Sequence, residues 1–331
     1  MPSRRLLVLA IVLSGCASRP TEPVAPATAP APSIPAGPYT PGTSYFGGDN
    51  YIEYIAGNAP VIFTAPHGGS LNPAEIPDRT REACGGTATT NTDMNTAELA
   101  RAMQQRYFAK FGKYPHVVIM HLGRRKLDAN RTGLEASCGN ARARLILEQW
   151  HAFIDAAKSV ALASSPNAWY MDVHGHRHAI DRIELGYLLT PAQINLSDDS
   201  LDAGPAFEDK SSVTTLSRAA PASFAELLRG EFSLGTLYAA RGFRSIPSSS
   251  DLRPDGEAYF SGGDNTRRHT CGAEATPFGG VSGGNVCGVQ LEANFTGVRD
   301  TPANRERFGD VTAVVLQEFL SRHWGLALGT Q

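Results

Sequence analysis

Residues 167–178 read NAWYMDVHGHRH, an apolar run that ends in Asp172 and then places His174, His176 and His178 at every second position. A short apolar run entering a glycine-punctuated polar cluster predicts a buried strand whose carboxyl end opens into a loop. In α/β sheets that is where ligands bind. Strand alternation puts the three imidazoles on one side. Either they hold a metal or they are a solvated strand end.

Working outward, residues 59–69 (APVIFTAPHGG), 116–122 (HVVIMHL), 182–189 (RIELGYLL) and 286–295 (VCGVQLEANF) read as further strands. Between them, residues 96–112, 141–162, 223–242 and 305–324 carry helical apolar spacing, with Gly112 as a stop for the first. Strands alternating with helices predict an α/β fold: a mixed, largely parallel central sheet flanked by helices on both faces. The 331 residues, 42% of them hydrophobic, can bury a sizeable core. A formal net charge of -2 and the absence of a long basic run exclude the electrostatic footprint of a nucleic-acid binder. A small-molecule or peptide ligand is expected instead.

The N-terminus MPSRRLLVLAIVLSGCAS has two arginines, a short apolar core and a small-residue site ending at Cys16, the architecture of a secretory signal. Its apolar stretch is too short to span a bilayer stably. The LSGC segment resembles the lipobox of bacterial lipoproteins. That resemblance implies a signal peptide over residues 1–15, a lipid on Cys16 as the only membrane attachment, and export to the periplasmic face of the outer membrane. Residues 16–44, rich in Pro, Ala and Thr, read as an extended tether, and residues 45–331 as one domain. Four cysteines remain, which in an oxidising compartment suggests two disulfides. Cys271 and Cys287 flank a Gly-rich loop and are expected to pair, leaving Cys84 with Cys138.

Three strand ends carry polar groups misplaced for a core: His67, the Asp172/His174/His176 set, and Glu292. A catalytic zinc needs about three protein ligands, and separate strand ends can supply them. Asp172 could then receive a ring N–H from a liganding histidine. Between the second strand and the second helix lies GRRKLDANRTG, residues 123–133, which reads either as a solvated charge run or as a carboxylate clamp, since the arginine fork accepts a carboxylate bidentately.

LDANR resembles the segment of the zinc carboxypeptidase A family in which an Asn-Arg pair binds the substrate carboxylate and an upstream arginine polarises the scissile carbonyl. Those positions are Asn130, Arg131, and either Arg124 or Arg125. More closely, the series PHGG, TD, DANR, MDVHGH and QLEANF is similar to N-formylglutamate amidohydrolases and their relatives. The resemblance implies the zinc carboxypeptidase-like (phosphorylase/hydrolase-like) fold and a Zn2+ ion held by His67 and His174. It makes Glu292 the general base and an N-acyl amino acid or short peptide the substrate. The carboxypeptidase acidic ligand, three residues after the first histidine, is here Ser70. Asp93 in TNTDMNTAEL takes that place first, with Glu75 and Asp78 as alternatives; Asp93 also suits a helix N-cap. His176 is expected at the substrate. YFSGGDNTRRH, residues 259–269, resembles a substrate loop, with Arg267 and Arg268 favouring an acidic ligand.

GVSGG, residues 280–284, fits G-x-S-x-G with Ser282 as nucleophile, but that motif needs a preceding strand and a following helix and here leads into a strand. The resemblance thus implies amide hydrolysis, with ester hydrolysis at the same site or a non-catalytic periplasmic binding lipoprotein as the alternatives.

Overall fold

A computed structural model of the chain describes residues 34–272 and 284–329. The signal segment, Cys16 and the tether as far as residue 33 lie outside the described residues, as does Ser282. The strands are β1 (Ser44–Gly47), β2 (Ile52–Ile55), β3 (Val61–Ala65), β4 (His116–Met120), β5 (Ala168–Gly175), β6 (Ile183–Gly186), β7 (Ser245–Ile246) and β8 (Val286–Ala293). They form one mixed sheet in the order β1-β2-β4-β3-β5-β8-β6-β7.

The four central strands β4, β3, β5 and β8 run parallel. On one side β2 and β1 continue the sheet antiparallel. On the other, β6 is antiparallel to β8, and the two-residue edge strand β7, followed directly by Pro247, is parallel to β6. From β3 the chain passes through α1 (Thr96–Phe111) to β4 on one flank. It then passes through α2 (Gly133–Ser137) and α3 (Ala141–Ser164) to β5 on the other flank. The strand order thus reverses between β3 and β5, the position at which an α/β sheet opens a crevice beyond its carboxyl ends.

Helices cover both faces because the central strands carry buried apolar residues on both sides. Val61, Phe63, Trp169, Met171, Val173, Val289 and Leu291 pack against Leu99, Met103 and Tyr107 of α1. Phe308 and Phe319 of the C-terminal helix Pro302–Trp324 complete that layer. The alternate residues Ile62, Val118, Met120 and Tyr170 pack against Ile146, Trp150, Phe153 and Ile154 of α3. At roughly 1.5–3 kcal/mol for each fully buried large apolar side chain, these two layers fix which side of every strand faces which helix. Continuing along the α3 face toward the carboxyl ends, the same alternation brings Thr64, Asp172, His174, Gln290 and Glu292, all buried. An apolar layer turns polar there within one strand step.

The structure departs from the sequence reading in several places. Residues 223–242 are two helices, Phe224–Arg229 and Leu234–Ala239, because Gly230 caps the first and the Ser233 side chain accepts from the Thr236 N–H to start the second. Strands β1, β2 and β7 escaped notice, being two to four residues long. Residues 34–44, composed like a tether, lie against the core. Tyr39 meets Tyr45 and Tyr54 edge-on at 4.9 and 5.0 Å, and the Gly42 N–H donates to Ala56 O at 2.8 Å. The cysteines pair as their spacing indicates, Cys84 with Cys138 and Cys271 with Cys287.

Candidate metal centre and active site

His67 leaves β3 through Pro66, and Gly68 and Gly69 let the chain turn against α1 and β4: a Cβ on Gly69 would stand 2.3 Å from the His121 carbonyl carbon. The turn holds Asp93 by its backbone, whose N–H donates to His67 O at 3.0 Å. His174 is the penultimate residue of β5. Three atoms therefore converge. Nδ1 of His67 lies 3.1 Å from Nδ1 of His174, and Oδ2 of Asp93 lies 3.4 and 3.1 Å from them respectively.

The far nitrogen of each ring is committed. Nε2 of His67 donates to Asp128 Oδ1 at 2.6 Å, and Nε2 of His174 to Asp172 Oδ2 at 2.8 Å. Asp172 is itself held through its Oδ1 by the Thr64 hydroxyl. With Nε2 carrying a proton in each ring, both Nδ1 lone pairs face each other and a carboxylate. Three such atoms repel unless positive charge sits among them. A proton on His174 would supply it. Burial pulls that imidazole down, but Asp172, Asp93 and Glu292 outweigh burial and push its pKa up to about 10. Burial likewise raises Asp93 and Asp128, yet their histidine partners hold both carboxyls well below the usual range.

This donor set suits a zinc ion. Two imidazole nitrogens and a carboxylate oxygen are zinc's ordinary donors, and ligands of about 2.0–2.2 Å around one tetrahedral ion stand roughly 3.3–3.6 Å apart, close to the 3.1–3.4 Å separations found here. Carboxylates behind both imidazoles are the outer partners such ligands require. Asp93 does not cap α1: the N-cap is Asn95, with no side-chain cap bond. Glu75 instead accepts from Tyr51, and Asp78 pairs with Arg125 and Lys126, away from the two histidines.

Glu292 stands across β8 from His174 in register and, through β6, opposite Glu184. Burial, with the neighbouring charges of Asp93 and Glu184, pushes its carboxyl up to about 8 against the pull of His174. It shares a cavity of about 200 Å³ with His67, Asp93, His174, Arg124 and Arg131. Arg124 donates to Asp128 Oδ2 at 2.9 Å and approaches Asp93 at 3.9 Å, so of the two upstream arginines it is the one at the site. Arg125 is more than half exposed and paired with Asp78.

No known family profile matches this sequence, and no curated protein does. Solved structures with a similar fold include an N-formylglutamate amidohydrolase from Ralstonia eutropha JMP134. It is 13% identical, covering 83% of this chain and 99% of that one, with a TM-score of 0.47. A gene product of Agrobacterium tumefaciens is 11% identical over 82% of this chain and 95% of its own, also at 0.47. A protein described as a proposed metallopeptidase from Shewanella amazonensis SB2B is 11% identical over 82% and 81%, at 0.33.

Asn130 lines the cavity. Its Nδ2 lies 3.2 Å from His174 Nε2 and donates to Gln290 Oε1 at 3.3 Å, while its Oδ1 accepts from the Asn265 N–H at 2.8 Å. These bonds tie the Asn130 side chain to β8 and to the Asn265 backbone beside His174. Arg131 bonds its own Asn130 carbonyl at 2.7 Å and keeps further donors in the cavity. Arg267 pairs with Asp264 at 2.8 Å, and Arg268 borders a separate cavity beside Leu134 and His151, so neither is brought to the metal donors. His176 sits beside the site with both nitrogens engaged: Nε2 donates to Arg182 O at 2.7 Å and Nδ1 accepts from the His178 N–H at 3.1 Å. With His178 bonded to Glu184 at 2.8 Å, the nearby His176/His178/Glu184 group is closed by its own hydrogen bonds.

Two residues were missed in the sequence. Asp128 belongs to the LDANR segment, in which the Asn-Arg pair carries the resemblance. Arg299, only 2% exposed, donates to the carbonyls of Ala293 at 2.9 Å, His176 at 3.1 Å and Met94. Those carbonyls follow Glu292, His174 and Asp93 by one or two residues, so one guanidinium ties three elements of the site. Gly175 makes room for it, since a Cβ there would stand 2.2 Å from the guanidinium carbon.

Proposed function

We propose that this protein is a zinc-dependent hydrolase that cleaves an amide bond in an N-acyl amino acid or short peptide. The observation that carries the reading is the convergence of His67 Nδ1, His174 Nδ1 and Asp93 Oδ2, with a carboxylate behind each imidazole. Those three residues would hold the ion. A zinc ion bound there supplies Lewis acidity, polarising a carbonyl and making water acidic enough to yield a nucleophile near neutral pH.

The remaining work belongs to the chain. Glu292, in the same cavity, takes the proton from water and delivers it to the departing nitrogen, a transfer for which a carboxyl near neutrality is matched. Arg124 faces charge developing on the carbonyl oxygen, where fixed donors are worth most. Arg131 receives the carboxylate of the departing amino acid through its planar fork. The same reading keeps the protein exported, with residues 1–15 removed as a signal peptide and a lipid on Cys16 anchoring it at the periplasmic face of the outer membrane.

The test pairs metal analysis of protein purified without chelator with the Glu292→Gln variant. One zinc per chain is expected, lost on changing His67 or His174. The variant should keep the zinc while hydrolysis falls about 10²–10⁴-fold. Full activity in Glu292→Gln would overturn the mechanism, and failure of the wild type to bind metal would leave a non-catalytic binding protein.

A further inference from the structure

A second cavity, of about 530 Å³, opens beside the one that holds Glu292. The two share Thr89, Asp93, Arg124, Gly175 and Phe260, so their walls are continuous. His67, His174 and Arg131 border only the smaller space, and Asp93 borders both. A carbonyl placed at the metal donors with its departing carboxylate toward Arg131 must therefore send its acyl substituent across Asp93 and Gly175 into the larger space. That space falls within the roughly 300–1,000 Å³ of ordinary ligand pockets, whereas a formyl group occupies little more than the about 30 Å³ of one water.

The walls of the larger cavity indicate what fills it. Phe260 stacks on His178 at 4.7 Å between ring centroids, offering an aromatic face at the junction of the two spaces. Asn91, Thr92 and Thr89 add hydrogen-bonding groups. Its one carboxylate, Asp93, belongs to the metal donors, and three arginines line it. Arg299 is spent on three backbone carbonyls and Arg124 on Asp128. Arg177 is exposed, and its hydrogen bond is a 4.0 Å contact to the Met94 sulfur. A guanidinium in that state binds a carboxylate with little to give up.

Resting on the hydrolase reading above, we infer that this cavity is the acyl-side subsite and that it takes an acyl group at least one amino-acid residue long bearing its own carboxylate, held by Arg177. The substrate class is then an acidic peptide rather than a formylated or acetylated amino acid.

Three amides of one common amino acid test this, with formyl, N-acetylalanyl and N-acetylglutamyl as the acyl groups. The wild type should prefer the acidic acyl group over the neutral one about tenfold in kcat/KM, with formyl the poorest. In Arg177→Met that acidic-to-neutral ratio should fall to about one, mainly through KM, and in Arg177→Glu it should invert. Formyl as the best substrate, or an acidic-to-neutral ratio that both variants leave untouched, overturns the subsite. If none of the three is hydrolysed, the hydrolase reading has failed, and titration calorimetry of the N-acetylglutamyl peptide still decides the subsite. Binding that Arg177→Met abolishes supports it, and no binding to the wild type refutes it.

Discussion

Arg299 gathers, through three carbonyl oxygens, the backbone beside Asp93, His174 and Glu292. Replacing it by methionine takes a donor from each of these carbonyls, leaves the buried His176 carbonyl without its guanidinium partner and frees the segments that set the spacing of the metal donors. Zinc affinity should fall about 10- to 100-fold, the usual effect of losing an outer-sphere partner. Arg299→Lys, with a point charge in place of a fork, should recover only part of it. Competition against a chromophoric chelator measures both variants; unchanged affinity in a folded Arg299→Met protein would show that the donors hold their places unaided. The sequence made His67, His174 and Glu292 visible because each is a polar side chain at an apolar strand end, and Asp93 through the resemblance of TNTDMNTAEL to the amidohydrolase TD segment. Arg299 was invisible because its partners are backbone atoms, which leave no trace in residue type. The partners of Asn130 were equally hidden: only the fold reveals its bonds to Gln290 and to the Asn265 N–H.

Among the elements, β5 and β8 decide whether a site exists, since they carry His174 and Glu292 in register. Gly288 lets them approach: a Cβ there would fall 1.9 Å from the Tyr170 carbonyl oxygen. Gly288→Ala should therefore cost about 3 kcal/mol, the upper part of the range for overpacking, read as a shift in the urea midpoint. A midpoint unmoved from wild type would mean that the strand pair yields without strain. The long elements were legible because an apolar period sustained over eight to twenty-four residues has few other readings. The short strands β1, β2 and β7 and the helix break at Gly230 were not, since two to four residues carry no period and a helical stripe can run on through a turn.

For the molecule as a whole, acid stability carries the mark of imidazoles buried neutral. His116 accepts at Nδ1 from the Gly57 N–H at 3.1 Å and lies 2.8 Å from the Tyr54 hydroxyl. Burial pushes its pKa down to about 3, and burial lowers His151 and His269 as well. A folded pKa below the unfolded one means that the unfolded chain takes up the proton first, so this contribution is complete above about pH 6.5 and is lost as the pH falls toward 3. For His116 alone the loss between pH 7 and pH 5 is about 2 kcal/mol. His116→Asn keeps an acceptor near Nδ1 without a titrating ring and should flatten the stability profile by that amount in urea titrations at the two pH values. An equal slope in both proteins would assign the acid lability elsewhere.

The outermost strand on the β6 side is two residues long and runs straight into Pro247, which has no N–H to offer. A strand arriving from another copy would find almost nothing to pair with. The sheet that builds the site thus ends where it cannot be lengthened, and crowding many copies together would not turn that edge into the seed of a fibre.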